Sequence, residues 1–223
     1  MPEGAAESSS AGGGLRAAVV YVHGLWMQGV EGAPLVRRLR RERGFAVTTF
    51  HYRSMQQSAE EIAAELHALI ETLQAPRVHL LGHSLGGAII LRCLARYPMR
   101  QPGRVVLLGS PVLGSRCALS LARFAWGRRL IGRAVIDELL QPAGHRWDSS
   151  RELGIIAGTW PLGLGRLLIR FDGPNDGTVA VSETRLAGAT ANIELPLTHT
   201  GLLWSRRAAR EAGSFLAHGC FGL

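Results

Sequence analysis

The stretch Gly82-His83-Ser84-Leu85-Gly86-Gly87 lies between an apolar run, Val78 to Leu81, and a helix-forming run, Leu85 to Tyr97. A serine at a sharp strand-to-helix turn is carried to the end of the strand, and G-x-S-x-G in that context presents a hydroxyl able to act as a nucleophile. Glycines at 82 and 86 suit the turn because a Cβ at either position would obstruct the approach of strand to helix. A phosphate-binding loop is the other Gly-rich strand-to-helix connection, but neither G-x-G-x-x-G nor G-x-x-x-x-G-K-[ST] is present.

A serine hydroxyl is weak as it stands and needs a base, itself oriented by a carboxylate. Chains with this turn carry the three groups in the order Ser, acid, His. Three histidines follow Ser84: His145, His199 and His218. His145 falls in an irregular stretch and His218 beyond the last helix, whereas His199 stands just past a short strand in Leu197-Thr198-His199-Thr200-Gly201, so His199 is the expected base. The acid is one of the four aspartates, Asp137, Asp148, Asp172 and Asp176, or a glutamate such as Glu183. Asp176 is favoured because it precedes Gly177-Thr178-Val179 in a loop from which a carboxylate can reach an imidazole Nδ1. An Asn-Asp-Gly sequence also makes an ordinary turn, which is the plain alternative. The developing oxyanion needs backbone N–H donors. Leu85, next after the serine, is expected to give one, and Leu25 or Trp26, in the loop His23-Gly24-Leu25-Trp26, the other. His23 is read as a support of that loop.

Positioning these groups takes a sheet. Ala17 to Val22, Val47 to Phe50, Val78 to Leu81 and Val105 to Leu108 read as buried strands, and Ile155-Ile156 and Ile193 to Leu195 as two shorter ones. Helical spacing links them. Pro34 opens one helix, Ser58 and Glu61 stand at capping-box spacing before Ile62, Leu66, Leu69, Ile70 and Leu73, and Leu202 to Leu216 reads as a terminal helix. Strands alternating with helices imply about six mostly parallel strands with helices on both faces, in a single α/β domain over 15–223 behind a flexible tail, 1–14. Gly114 to Ser150 breaks the alternation. Its apolar residues do not gather on one helical side and Gly127 and Gly132 interrupt it, so it is expected to be partly helical, as a lid over a pocket or as a structural insertion.

Composition narrows the classes. The net charge is +8, and all 25 basic residues are arginine, spread from Arg16 to Arg210 without a nucleic-acid-binding module, so nucleic acid is not the expected partner. No apolar run approaches the length of a membrane span. The first residues lack the pattern of a secretory signal, and three cysteines, Cys93, Cys117 and Cys220, without C-x-x-C spacing suggest neither a disulfide framework nor a metal site, so a cytoplasmic location is expected. Nothing in the sequence speaks to oligomeric state.

At the Ser84 turn, the His23-Gly24 loop, Gly109-Ser110-Pro111-Val112-Leu113-Gly114-Ser115, Asn175-Asp176-Gly177-Thr178-Val179 and the His199 loop, the chain resembles the α/β-hydrolase superfamily, in particular small lipase- and esterase-like members. The likeness spans most of Ala17 to Leu216. It implies the α/β-hydrolase fold and a cofactor-free Ser84-His199-Asp176 triad that cleaves carboxylic esters, with thioesters as an extension, through an acyl-enzyme. A small acyl ester or lipid is the substrate so implied. In true lipases the turn after the fourth strand has a polar centre, where this chain carries Val112 and Leu113. With Trp26, these apolar residues are expected to meet the acyl chain, and Phe124, Trp126 and Leu130 of the insertion to wall the pocket. An acyltransferase with the same triad, and a non-catalytic scaffold that uses the basic insertion, are the alternatives.

Overall fold

In the computed structural model, residues 17–140, 147, 149–163 and 165–222 are described. The expected tail over 1–14, His145 and Asp148 lie outside the described residues. The strands are β1 (Ala18–Val22), β2 (Ala46–Phe50), β3 (Val78–His83), β4 (Val105–Leu108), β5 (Leu153–Gly158) and β6 (Ala191–Leu195). They form one sheet in the order β2-β1-β3-β4-β5-β6, with every pairing parallel. A parallel sheet brings all its C-terminal ends to one edge, and the order reverses at β1 and β3, where open α/β folds leave a crevice.

The apolar runs were readable because these strands are buried on both faces. Along β1, Ala18, Val20 and Val22 join the core beneath one layer of helices, while Val19 and Tyr21 join the core of the opposite layer. The first layer holds α2 (Ala59–Thr72) and α3 (Leu85–Arg96), and the second α1 (Ala33–Arg43) and α9 (Arg206–His218). Helix α2 begins on the full capping box, with Glu61 N–H donating to Ser58 Oγ and Ser58 N–H to the Glu61 carboxylate.

One expectation is corrected. The terminal helix is two, α8 (Gly201–Trp204) and α9, because Ser205 leaves helical geometry at φ −69°, ψ 130° and its hydroxyl caps the amides of Arg207 and Ala208. The insertion is partly helical, as expected, with α4 (Arg116–Ala122) and α5 (Ala125–Leu139), and Gly132, at φ 72°, ψ 175°, interrupts α5. One helical projection finds no single apolar face because Trp126 and Leu130 are exposed while Ile131, Ala134 and Val135 are buried. Short helices α6 (Gly165–Leu168) and α7 (Val181–Thr184) lie between β5 and β6. Among the described residues no helix is long and apolar enough to cross a membrane.

Candidate active site

Ser84 sits between β3 and α3 at φ 54°, ψ −126°, a conformation a residue with a Cβ adopts at a cost of roughly 1–3 kcal/mol. The surroundings enforce it. Ser84 N–H donates to Leu108 O at 3.0 Å, tying the turn to β4. Gly86 lies so close to β1 that a Cβ there would collide with the carbonyl oxygens of Val22 and His23. Helix α3 is thereby drawn under the sheet edge, and its first amide, that of Leu85, belongs to the helix-initial donors with no intrahelical acceptor.

The loop after β1 closes on the same point. A Cβ on Gly24 would stand 3.0 Å from Ser84 Cβ and 3.2 Å from His83 Nδ1, so only glycine brings this backbone against the serine. Met27 N–H donates to Gly24 O at 3.4 Å, and within that turn Trp26 takes φ 59°. Among the described residues the amides of Leu25 and Trp26 have no hydrogen-bond acceptor. His23 is wholly buried and stacked on Tyr52 with ring centroids 4.2 Å apart, and the Tyr52 hydroxyl donates to His23 O at 2.7 Å. Burial holds the His23 imidazole below its ordinary pKa, so it supports the loop as a neutral ring.

Asp176 and His199 meet. His199 Nδ1 lies 2.6 Å from Asp176 Oδ2, and His199 N–H donates to Asp176 O at 2.9 Å. The other carboxylate oxygen, Oδ1, accepts from the amides of Thr178 and Val179 at 2.9 and 2.7 Å. The turn therefore saturates one oxygen and leaves the other for the imidazole. Asp176 is 1% exposed and His199 8%. Gly109, the residue after Leu108, packs beneath the pair: a Cβ there would lie 3.0 Å from Asp176 Oδ2 and 3.2 Å from His199 Nδ1. Leu108 and Gly109 thus touch the serine turn on one side and the His–Asp pair on the other.

Among the described residues the other candidate acids are occupied elsewhere. Asp172 is exposed and pairs with Arg116, Asp137 accepts from the Ala59 amide at the start of α2, and Glu183 accepts from the amides of Arg116 and Ala180. His218 is exposed at the end of α9.

The expected pocket residues fare differently. Leu25 is half-buried, and Trp26 and Leu113 are exposed beside the site. Val112 is instead 2% exposed and packed in the core beneath α2 and α3, because the chain folds inwards there. Phe124, Trp126 and Leu130 point outwards.

One contributor went unread in the sequence. His83, inside the serine turn, is fully buried, and its Nε2 lies 3.1 Å from His199 O, with ring centroids 4.7 Å apart. A carbonyl only accepts, so Nε2 carries the proton and donates. Burial, reinforced by His199, keeps this ring well below the ordinary histidine pKa and hence neutral. Its partner is 116 residues away, beyond the reach of any local pattern.

A parallel six-stranded sheet with its serine turn at the switch in strand order defines an α/β-hydrolase. Residues 19–214 match the model of the Alpha/beta hydrolase family, and the chain belongs to that family. A putative carbamate hydrolase, RutD, of Pantoea ananatis (strain LMG 20103) is 42% identical over 85 residues, a stretch covering 37% of this chain and 29% of that protein. Among solved structures, the mature lipase BlEst2 of Bacillus licheniformis superposes with a TM-score of 0.72 at 19% identity, over 93% of each chain. A hydrolase from Pseudomonas aeruginosa PA01 gives 0.68 at 17% identity, over 91% of this chain and 90% of that one. At such identities the likeness is one of fold.

Proposed function

We propose that the chain is a serine hydrolase of carboxylic esters, with Ser84 as nucleophile, His199 as general base and Asp176 as the acid that orients it. The observation that carries this reading is the 2.6 Å contact of His199 Nδ1 with Asp176 Oδ2, beside a serine held at φ 54°. A carboxylate at Nδ1 keeps the proton there and leaves Nε2 with a free lone pair. Nε2 takes the Ser84 proton as Oγ bonds to the ester carbonyl carbon, and the carbonyl electron pair moves onto oxygen. The amides of Leu85 and of Leu25 or Trp26 hold that oxyanion. Collapse expels the alcohol, which receives the proton from His199, and leaves Ser84 acylated. A water then attacks the acyl carbon, giving its proton to His199, and the second collapse releases the carboxylic acid and restores the hydroxyl.

Leu25, Trp26 and Leu113 line this edge with apolar surface, which favours an apolar acyl group. Thioesters fall within the same chemistry, and so does the carbamate bond named for the Pantoea relative, since each carbonyl passes through a tetrahedral oxyanion.

A fluorophosphonate, which reacts only with an activated serine, tests the reading. The intact chain should be labelled, and Ser84→Ala should abolish labelling and lower kcat by on the order of 10⁶-fold with an unchanged circular dichroism spectrum. Labelling or hydrolysis that persists in folded Ser84→Ala protein overturns the assignment, as does an intact chain that takes no label.

A further inference from the structure

The insertion divides its apolar residues between two sides. Ala118, Ile131, Ala134 and Val135 turn into the core over α2 and α3, whereas Phe124, Trp126 and Leu130 are 53%, 56% and 46% exposed. The tip that carries them is held firmly. Phe124 N–H donates to Leu121 O and Arg128 N–H to Phe124 O, and a Cβ on Gly127 would collide with the Leu121 carbonyl oxygen, so α4 and α5 turn tightly. The Leu130 carbonyl accepts the Trp26 indole N–H at 2.7 Å. Phe124 and Trp126 stack on each other, centroids 5.5 Å apart and planes 19° apart. Helix α6, tied to α4 by Ser120 Oγ donating to Leu168 O, adds another exposed leucine, Leu167, 83% exposed. Exposed apolar residues grouped in this way mark a place that something covers.

Charge indicates what covers it. From Arg116 to Ile136 there are five arginines and no acidic residue. Arg116 pairs with Asp172 and Arg133 lies near Glu61, but Arg123, Arg128 and Arg129, all exposed around the stacked rings, have no carboxylate partner among the described residues. We propose that this tip docks the protein on an anionic phospholipid membrane, with Phe124, Trp126 and Leu130 entering the headgroup region and Arg123, Arg128 and Arg129 pairing with lipid phosphates. Aromatic rings settle at that depth, and guanidinium groups bind phosphate oxygens in pairs while their stems cover apolar surface. The exposed leucines favour lipid over a nucleic acid, whose bases stack on rings and leave aliphatic surface uncovered. Trp26, tied to Leu130, lies two residues from Gly24, which abuts Ser84, so a membrane at the tip faces the mouth of the candidate site.

Docking is read by binding alone, independently of turnover. The full-length chain is sedimented with vesicles of phosphatidylcholine, or of phosphatidylcholine mixed with phosphatidylglycerol, at low and high salt. Binding should be about tenfold or more tighter to the mixed vesicles and weaken with salt. The double variant Arg128→Glu/Arg129→Glu should lose that preference while still hydrolysing a water-soluble short-chain ester, and Trp126→Ala should bind more weakly at both salt concentrations. Equal binding to both kinds of vesicle, or binding indifferent to both variants, overturns the proposal. Capture of single-stranded RNA without capture of vesicles overturns it too, and makes the tip a nucleic-acid surface.

Discussion

The Ser84 turn and the tip of the α4–α5 hairpin lie on loops of the same sheet edge, yet they are tied to the rest of the domain differently. Around Ser84 the constraints come from the main chain: Ser84 N–H bonds Leu108 O, Gly86 lies under β1, and two turn amides saturate one oxygen of Asp176. At the hairpin the turn itself is main-chain, through Phe124, Arg128 and Gly127, but its ties to the domain come from side chains. Arg92 of α3 pairs with the buried Glu138, Asp137 caps α2, and the Trp26 indole reaches Leu130. Main-chain constraints fix positions tightly and tolerate only glycine at the contacts, which suits groups whose chemistry depends on fractions of an ångström. Side-chain constraints fix one face of an element and leave the other free to vary, which suits a surface that meets a partner.

The largest test of that contrast lies within the rigid region. Asp176→Asn keeps the shape of the turn but removes the charge that holds the imidazole proton on Nδ1, so kcat for ester hydrolysis should fall on the order of 10²-fold to 10⁴-fold. Asp172→Asn touches only an exposed pair with Arg116 and should change the rate less than about twofold. Steady-state kinetics of the two variants decide it. An equal loss in Asp172→Asn would move the acid out of the main-chain cradle and dissolve the comparison.

Next comes the buried side of the insertion. Ile131 is 1% exposed and packs in the core over α2 and α3. Ile131→Ala should cost about 2–4 kcal/mol, seen as a fall of roughly 5–15 °C in Tm. A shift within about 2 °C would show that the insertion is not docked on the domain and that its free face says nothing about partners.

These two regions also differ in how far the sequence reveals them. The serine turn, His199 and the strand Val105–Leu108 were legible because each rests on a local pattern: glycines flanking a serine, a histidine just past a strand, a β-branched run buried on both faces. Asp176 was favoured in the sequence by the Gly-Thr-Val stretch after it, but its 2.6 Å contact with His199, against the pairing of Asp172 with Arg116, is a long-range feature that no local pattern carries. The insertion was legible only as partly helical, because its apolar residues divide between a buried and an exposed side and because Trp26 and Leu130 meet across 104 residues. Val112 misled for a related reason: it adjoins the site in sequence, but the chain turns its side chain into the core. Ser205 ends a helix through a side-chain cap in a stretch without glycine or proline, so no breaker announces it.

Acid should act first on the buried histidines, of which His23 and His83 adjoin the Ser84 turn and His79 lies at the other end of β3. His23, His83 and His79 are buried neutral, all below the ordinary histidine pKa of 6.5, and burial with nearby Arg104, Arg77 and Arg151 lowers His79 to about 4. His79 Nδ1 accepts the Arg104 amide at 2.9 Å, a bond that protonation abolishes. The unfolded chain binds these protons more readily, so stability is complete above about pH 6.5 and is lost as pH falls towards the folded values. From His79 alone, unfolding free energy should drop by about 2 kcal/mol between pH 7.5 and 5, measured by urea titration. Stability unchanged over that interval would mean that the buried imidazoles are hydrated.

The smallest expected effect is the one that most sharpens the contrast. Trp126 belongs to the same helix as Ile131, five residues earlier, but it is 56% exposed and among the described residues its one ring neighbour is Phe124, itself 53% exposed. Trp126→Ala removes a large ring, and burial logic applied to residue type alone would predict a loss as great as that of Ile131→Ala. Position argues otherwise. The ring already faces water, its removal leaves no cavity, and what remains is the stacking of one exposed pair, worth below about 1 kcal/mol at such a site. Tm should therefore fall by less than about 3 °C, against the larger fall for Ile131→Ala. Thermal unfolding of both variants in one buffer makes the comparison direct. A Trp126→Ala loss matching that of Ile131→Ala would mean that the aromatic pair packs against the protein, which would convert the exposed face into core and remove the surface on which membrane docking depends.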